Sequence, residues 1–110
     1  MAKRDVIKAK NLLFQLFRRR NIYLNKIIFF GSYAKNAVNP HSDIDIIVVS
    51  KDFRGKDIFE RVGLANGIST DIMRAIHKPV DMLYYSDKEW EKGHSIIAHT
   101  AKNEGLIFYR

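Results

Sequence analysis

The chain has 110 residues, 46% hydrophobic and 28% charged, with no cysteine and a net charge of +7. That length suits one domain over residues 1–110, with a core but little spare volume for an enclosed pocket. The composition excludes a disordered chain, a disulfide scaffold and a thiolate zinc site, and no apolar run approaches the roughly 18 residues that cross a membrane. Met1-Ala2-Lys3-Arg4-Asp5 is not followed by the apolar stretch of a signal peptide, so the expected location is cytoplasmic. The positive charge suits a polyanionic partner (nucleotide, nucleic acid or acidic protein) or is simply a solvated basic surface.

Residues 5 to 20 read as an amphipathic helix, because Val6, Ala9, Leu12, Leu13, Leu16 and Phe17 recur at three- and four-residue spacing. Arg18, Arg19 and Arg20 then complement the negative end of the helix dipole, a reading favoured over a nucleic-acid patch, and Asn21 is a plausible stop. Lys26 to Phe30 is a short run of β-formers ending at Gly31-Ser32, and reads as a buried strand. Tyr33 to Val38 has room for a turn or two of helix before Asn39-Pro40-His41 breaks it. Ser42 to Ser50 carries the strongest strand signal in the chain. A turn over residues 52–56 leads into a helix over 57–76, with Ile58, Phe59, Val62, Ala65, Ile72, Ala75 and Ile76 mostly on one face. Gly63, Gly67 and Ser69-Thr70 weaken that helix and point to a break near 67–70. Pro79 to Tyr85 reads as a third strand. Ser86 and Glu89 form a capping box opening a helix to about Asn103, with Trp90, Ile96, Ile97 and Ala101 inward. Gly105 ends that helix and Leu106 to Tyr109 is a final strand. The predicted architecture is an α+β layered domain, a small mixed β-sheet packed with helices.

Asp43 and Asp45 demand an explanation. Side chains alternate along a strand, so the two carboxylates share a face, with Cα atoms about 6.6 Å apart. Ile44, Ile46 and Val48 take the opposite face, while Ile47 and Val49 continue the acidic face as apolar core. Such a pair repels itself unless solvent or a cation intervenes, and an oxygen-preferring divalent ion such as Mg²⁺ is a natural partner. The plainer alternative is two solvated acids ending a strand. Gly31-Ser32 is either an ordinary turn with an N-cap or a site where backbone N–H groups and a hydroxyl meet phosphate. Asp81, an isolated acid in an apolar strand, is either an edge-strand acid facing water or a third carboxylate, if its strand lies beside 42–50. Three carboxylates from two strands could hold two metal ions about 3.5 to 4 Å apart.

Taken together, Gly31-Ser32-Tyr33-Ala34-Lys35-Asn36 followed by Ser42-Asp43-Ile44-Asp45-Ile46-Ile47-Val48 resembles the signature of the DNA polymerase β-like nucleotidyltransferase superfamily, in its minimal form. Val80-Asp81-Met82-Leu83 is similar to the strand that supplies the family's third carboxylate, and 103–109 resembles the ending of minimal members. Asn36 stands where many members carry glycine. The resemblance implies a transferase moving a nucleoside monophosphate, with AMP from ATP expected. Asp43, Asp45 and Asp81 would be catalytic and metal-binding, Gly31 and Ser32 nucleotide-binding, and two Mg²⁺ ions (or Mn²⁺) the cofactors. It also implies a small helical HEPN-type protein as partner and acceptor, in a toxin–antitoxin pair. The alternative is a non-catalytic nucleotide- or partner-binding module of the same fold, and nucleic acid is the less favoured partner. Lys35, His41, His77, His94 and His99 read as ordinary surface or packing residues, and Trp90, Tyr84 and Tyr85 as core or interface.

Overall fold

The computed structural model describes residues 2–30, 44–93 and 106–109. Helix α1 (Ala2–Arg19) is followed by strands β1 (Lys26–Phe30) and β2 (Ile44–Val49) and a 3-10 turn over Lys51–Phe53. Helices α2 (Ile58–Leu64) and α3 (Ile68–Ile76) then lead to strand β3 (Val80–Tyr85), helix α4 (Asp87–Lys92) and strand β4 (Leu106–Tyr109). The strands form one mixed sheet in the order β3-β2-β1-β4. β1 is antiparallel to both β2 and β4, whereas β2 and β3 run parallel, joined through α2 and α3. The α+β class read from the sequence is the observed one.

Strand alternation sorts the apolar residues onto two faces. Ile27 and Phe29 of β1 and Ile44, Ile46 and Val48 of β2 join Val6, Ala9, Leu13 and Phe17 of α1 and Ile68, Ile72 and Ile76 of α3 in the larger core cluster. Phe108 closes it, meeting Phe29 edge to face at 5.8 Å. Lys8 Nζ donates to the Ala75 carbonyl at 2.8 Å, tying α1 to the end of α3. The opposite face holds a smaller cluster of Ile28, Ile47, Val49 and the buried Trp90 of α4. Helix α4 begins as expected at Ser86, whose hydroxyl accepts from Glu89 N–H while the Glu89 carboxylate accepts from Ser86 N–H.

Three expectations need adjustment. Helix α1 begins at Ala2, three residues before the predicted start, and ends at Arg19, two residues before Asn21 takes a φ of 58°. The single helix over 57–76 is two helices, because Gly67 takes a φ of 84° that no helix interior accommodates. That break frees α2 to turn differently from α3. Ile58, Phe59 and Val62 consequently face solvent, Phe59 at 84% exposure, while Arg61 turns inward at 8%. Arg61 donates to the Tyr84 carbonyl at 2.9 Å and to Glu89 Oε1 at 2.7 Å, a hydrogen-bonded destination for a buried charge. The helix opened by Ser86 stops at Gly93, at a φ of 60°. Its predicted continuation through Ile96, Ile97 and Ala101, the stop at Gly105 and the short helix over 33–38 lie outside the described residues.

Candidate active site

The second face of the sheet is graded from apolar to acidic in three cross-strand rows. At one end Val49 lies between Lys26 and Tyr85, beside Trp90. Next, Ile47 lies between Ile28 and Leu83. At the other end Asp45 lies between Phe30 and Asp81. Successive rows are about 6.6 Å apart, so the acids stand roughly 13 Å from the row nearest Trp90. The apolar cluster ends where the carboxylates begin.

Asp45 and Asp81 are direct partners in the parallel register of β2 and β3. Neighbouring strands lie about 4.8 Å apart, so both carboxylates leave the same face of the sheet at close range. Like charges opposite one another on neighbouring strands are destabilising. Asp45 is half-buried and Asp81 is exposed, on an edge strand. Both readings of Asp81 therefore meet in one residue: it is an edge-strand acid, and it stands abreast of Asp45.

The register is held from outside the strands. His77 ends α3 at a φ of 58° and ψ of 38°, a left-handed conformation that turns the chain back toward the sheet. The Pro79 carbonyl then accepts a hydrogen bond from Ile44 N–H at 2.9 Å, at the start of both strands. Slipping β3 by one residue would break this contact and send Asp81 to the opposite face. The sequence reading missed this role of His77. Positive φ at a non-glycine residue has little sequence signal, and Pro79 alone marked the boundary.

Gly31, Ser32 and Asp43 lie outside the described residues, as do Lys35, His41, His94 and His99. Covalent continuity relates the first three to the acidic row. Gly31 follows Phe30, the β1 residue paired with Asp45, and Asp43 precedes Ile44, which pairs with Val80. Of the predicted metal ligands, the described residues contain Asp45 and Asp81, and among the described residues no cluster of three or more metal-ligating side chains occurs. Two aspartates in register form an oxygen-only donor set that fits a hard divalent cation such as Mg²⁺.

Two close ion pairs, Arg54 with Asp87 and Arg61 with Glu89, lie away from the acidic row. Arg54 grips Asp87 through two hydrogen bonds, one from Nε at 2.7 Å, which holds the Asp87 carboxyl below its ordinary value. Burial pushes the Tyr84 hydroxyl up. Partial burial also pushes the Glu89 carboxyl up, but the Arg61 guanidinium and the Ser86 N–H outweigh it and leave Glu89 below the usual carboxylate value.

The nucleotidyltransferase domain family matches residues 11–103, most of the chain and all of the acidic row. The chain belongs to the nucleotidyltransferase domain family. Solved structures share its fold. One is a protein assigned as a nucleotidyltransferase from Sulfolobus solfataricus, 21% identical, with a TM-score of 0.59 over 99% of this chain and 86% of that one. A toxin–antitoxin with AMP-PNP aligns at 24% identity and a TM-score of 0.62, over 88% of this chain and 69% of that one. A mutant of the toxin–antitoxin MntA–HpeT aligns at 25% identity and a TM-score of 0.60, over 91% and 71%. No curated protein matches the sequence. The family generally uses divalent metal ions, in keeping with the aspartates of this nucleotidyltransferase. Among the described residues no helix is long and apolar enough to cross a membrane.

Proposed function

We infer that this nucleotidyltransferase transfers AMP from ATP to a hydroxyl of a small helical partner protein of the HEPN type, acting as the antitoxin of a toxin–antitoxin pair. The observation that carries the chemistry is the register of Asp45 against Asp81. Two acids brought abreast on one face of the sheet support a task that needs their charge. Asp43 and Asp45 would hold two Mg²⁺ ions, with Mn²⁺ an adequate substitute, and Asp81 would share one of them. Those ions, when bound, supply positive charge to the triphosphate and to the attacking oxygen. Gly31 and Ser32 would hold the triphosphate through backbone N–H groups and the serine hydroxyl. Asp81, exposed at the sheet edge, can accept the proton of the acceptor hydroxyl. As the bond from the acceptor oxygen to the α-phosphorus forms, the bond to pyrophosphate breaks.

The choice of ATP is supported by the AMP-PNP of one structural neighbour, and the protein partner by the toxin–antitoxin character of two. The exposed apolar residues of α2, Ile58, Phe59 and Val62, offer the kind of surface that protein partners cover. Calorimetric titration with ATP in the presence and absence of Mg²⁺ tests the nucleotide site. Wild type is expected to bind ATP in a Mg²⁺-dependent manner, and an Asp45→Asn/Asp81→Asn double variant to lose that binding. Wild type that binds no ATP with Mg²⁺ present would overturn the reading and leave the fold as a non-catalytic module.

A further inference from the structure

A basic stretch of the described chain lies away from the acidic row, along α1. Helix α1 carries six Lys and Arg residues against one acid, Asp5. Its outer side borders a groove of about 390 Å³, lined by Lys10 and Arg18 among others and closed on the sheet side by Tyr109 of β4. A second depression of about 220 Å³ shares Arg18 and continues to Tyr23. Among the described residues no acidic side chain lines either one. Asp52, near Tyr23, is engaged by the Tyr23 N–H at 2.8 Å. Each tyrosine has a lysine over its ring, Lys26 at 5.4 Å from the Tyr109 centroid and Lys51 at 5.0 Å from that of Tyr23. Tyr109 is 66% exposed.

We propose that these two depressions, which share Arg18, together bind single-stranded nucleic acid, at a site separate from the nucleotide site. From Lys10 to Arg18 is eight residues of helix, about 12 Å, enough to follow two or three nucleotides. Cations close to exposed tyrosines are chemistry that single strands use: charge for phosphates and aromatic surface for unstacked bases. An acidic protein would satisfy the charges but gives the tyrosines no comparable role. The groove runs from α1, which packs on the face of Ile27 and Phe29, to Tyr109, which by its register with Lys26 shares the sheet face of Asp45. Along β1, however, it is at the far end, since Tyr109 pairs with Lys26 and Asp45 pairs with Phe30. Binding there would hold the transferase on RNA or DNA without occupying the carboxylates.

The test is fluorescence anisotropy of the full chain with a labelled single-stranded RNA of about twelve nucleotides, at salt from about 50 to 200 mM. Contact of Lys10, Arg18, Lys26 and Lys51 with four phosphates predicts a log–log salt slope near −3. Lys10→Gln/Arg18→Gln should weaken binding at least about tenfold and halve that slope. Tyr109→Ala should weaken it about tenfold with the slope unchanged, and Tyr109→Phe should retain it. Melting and Mg²⁺–ATP binding should match wild type in every variant, which separates this site from the carboxylate site. The proposal is overturned if wild type does not bind the RNA, or if Lys10→Gln/Arg18→Gln binds as tightly as wild type. It is equally overturned if polyglutamate of matched charge displaces the RNA as well as unlabelled RNA does, which would make the groove a site for acidic protein.

Discussion

The two faces of the sheet use the same strands for opposite ends. The face under α1 and α3 is apolar along its whole length, from Val48 through Ile46 to Ile44. The other is apolar only where α4 covers it, from Val49 to Ile47, and becomes acidic at Asp45. Both faces come from one six-residue strand, Ile44–Val49, whose odd and even positions are assigned different work. The larger core cluster lies on one side, and the other side ends in two carboxylates in register.

This contrast can be broken in graded steps. Asp81→Asn should lower transfer by at least about 10²- to 10³-fold, the usual loss when a group that organises transition-state charge is removed. Its melting temperature should be unchanged or slightly higher without metal, since one repulsion is relieved. A matched loss of stability would show that Asp81 is structural. On the other face, Phe29→Ala removes a fully buried ring and should cost about 3 to 5 kcal/mol by denaturant titration. Any Phe29→Ala protein that remains folded at low temperature should still bind Mg²⁺–ATP.

Smaller effects sit at the seam where α4 meets β3. Ser86→Ala should cost about 1 kcal/mol by removing the α4 cap. Because α4 delivers Trp90 to the second face, tryptophan fluorescence should register that loss before the helical signal does. Glu89 gives the smallest and most specific signal. Its folded pKa lies below the unfolded value, so its contribution is complete above about pH 4.5 and disappears as the pH falls through the folded value. Glu89→Gln should therefore show a shallower loss of stability on acidification than wild type. An unchanged acid limb would mean that the contact of Glu89 with Arg61 is not coupled to folding.

Much was legible in the sequence. The alternation in 42–50 separated Ile44, Ile46 and Val48 from Ile47 and Val49, and the two core clusters divide them in that way. Gly67 and its neighbours marked the break in the second helical segment, and Ser86 with Glu89 marked the start of α4. The shared face read for Ile58, Phe59 and Val62 with Ala65, Ile72 and Ile76 did not put them in the core, because helical periodicity defines a face but not what it meets. Here Arg61, with a carbonyl and a carboxylate to bond, took the inward position.

Residue order by itself determined the strands, the cap of α4 and the sorting of Ile44, Ile46 and Val48 from Ile47 and Val49, because each follows from local backbone geometry. The tertiary structure decided what depends on the meeting of distant segments. β3 runs parallel to β2 in the one register that sets Asp81 beside Asp45, held by the turn at His77 and the hydrogen bond from Ile44 to Pro79. Thirty-five residues separate Asp45 from Asp81 in the chain, and no local preference acts across that distance. Only the closing of the sheet makes them neighbours.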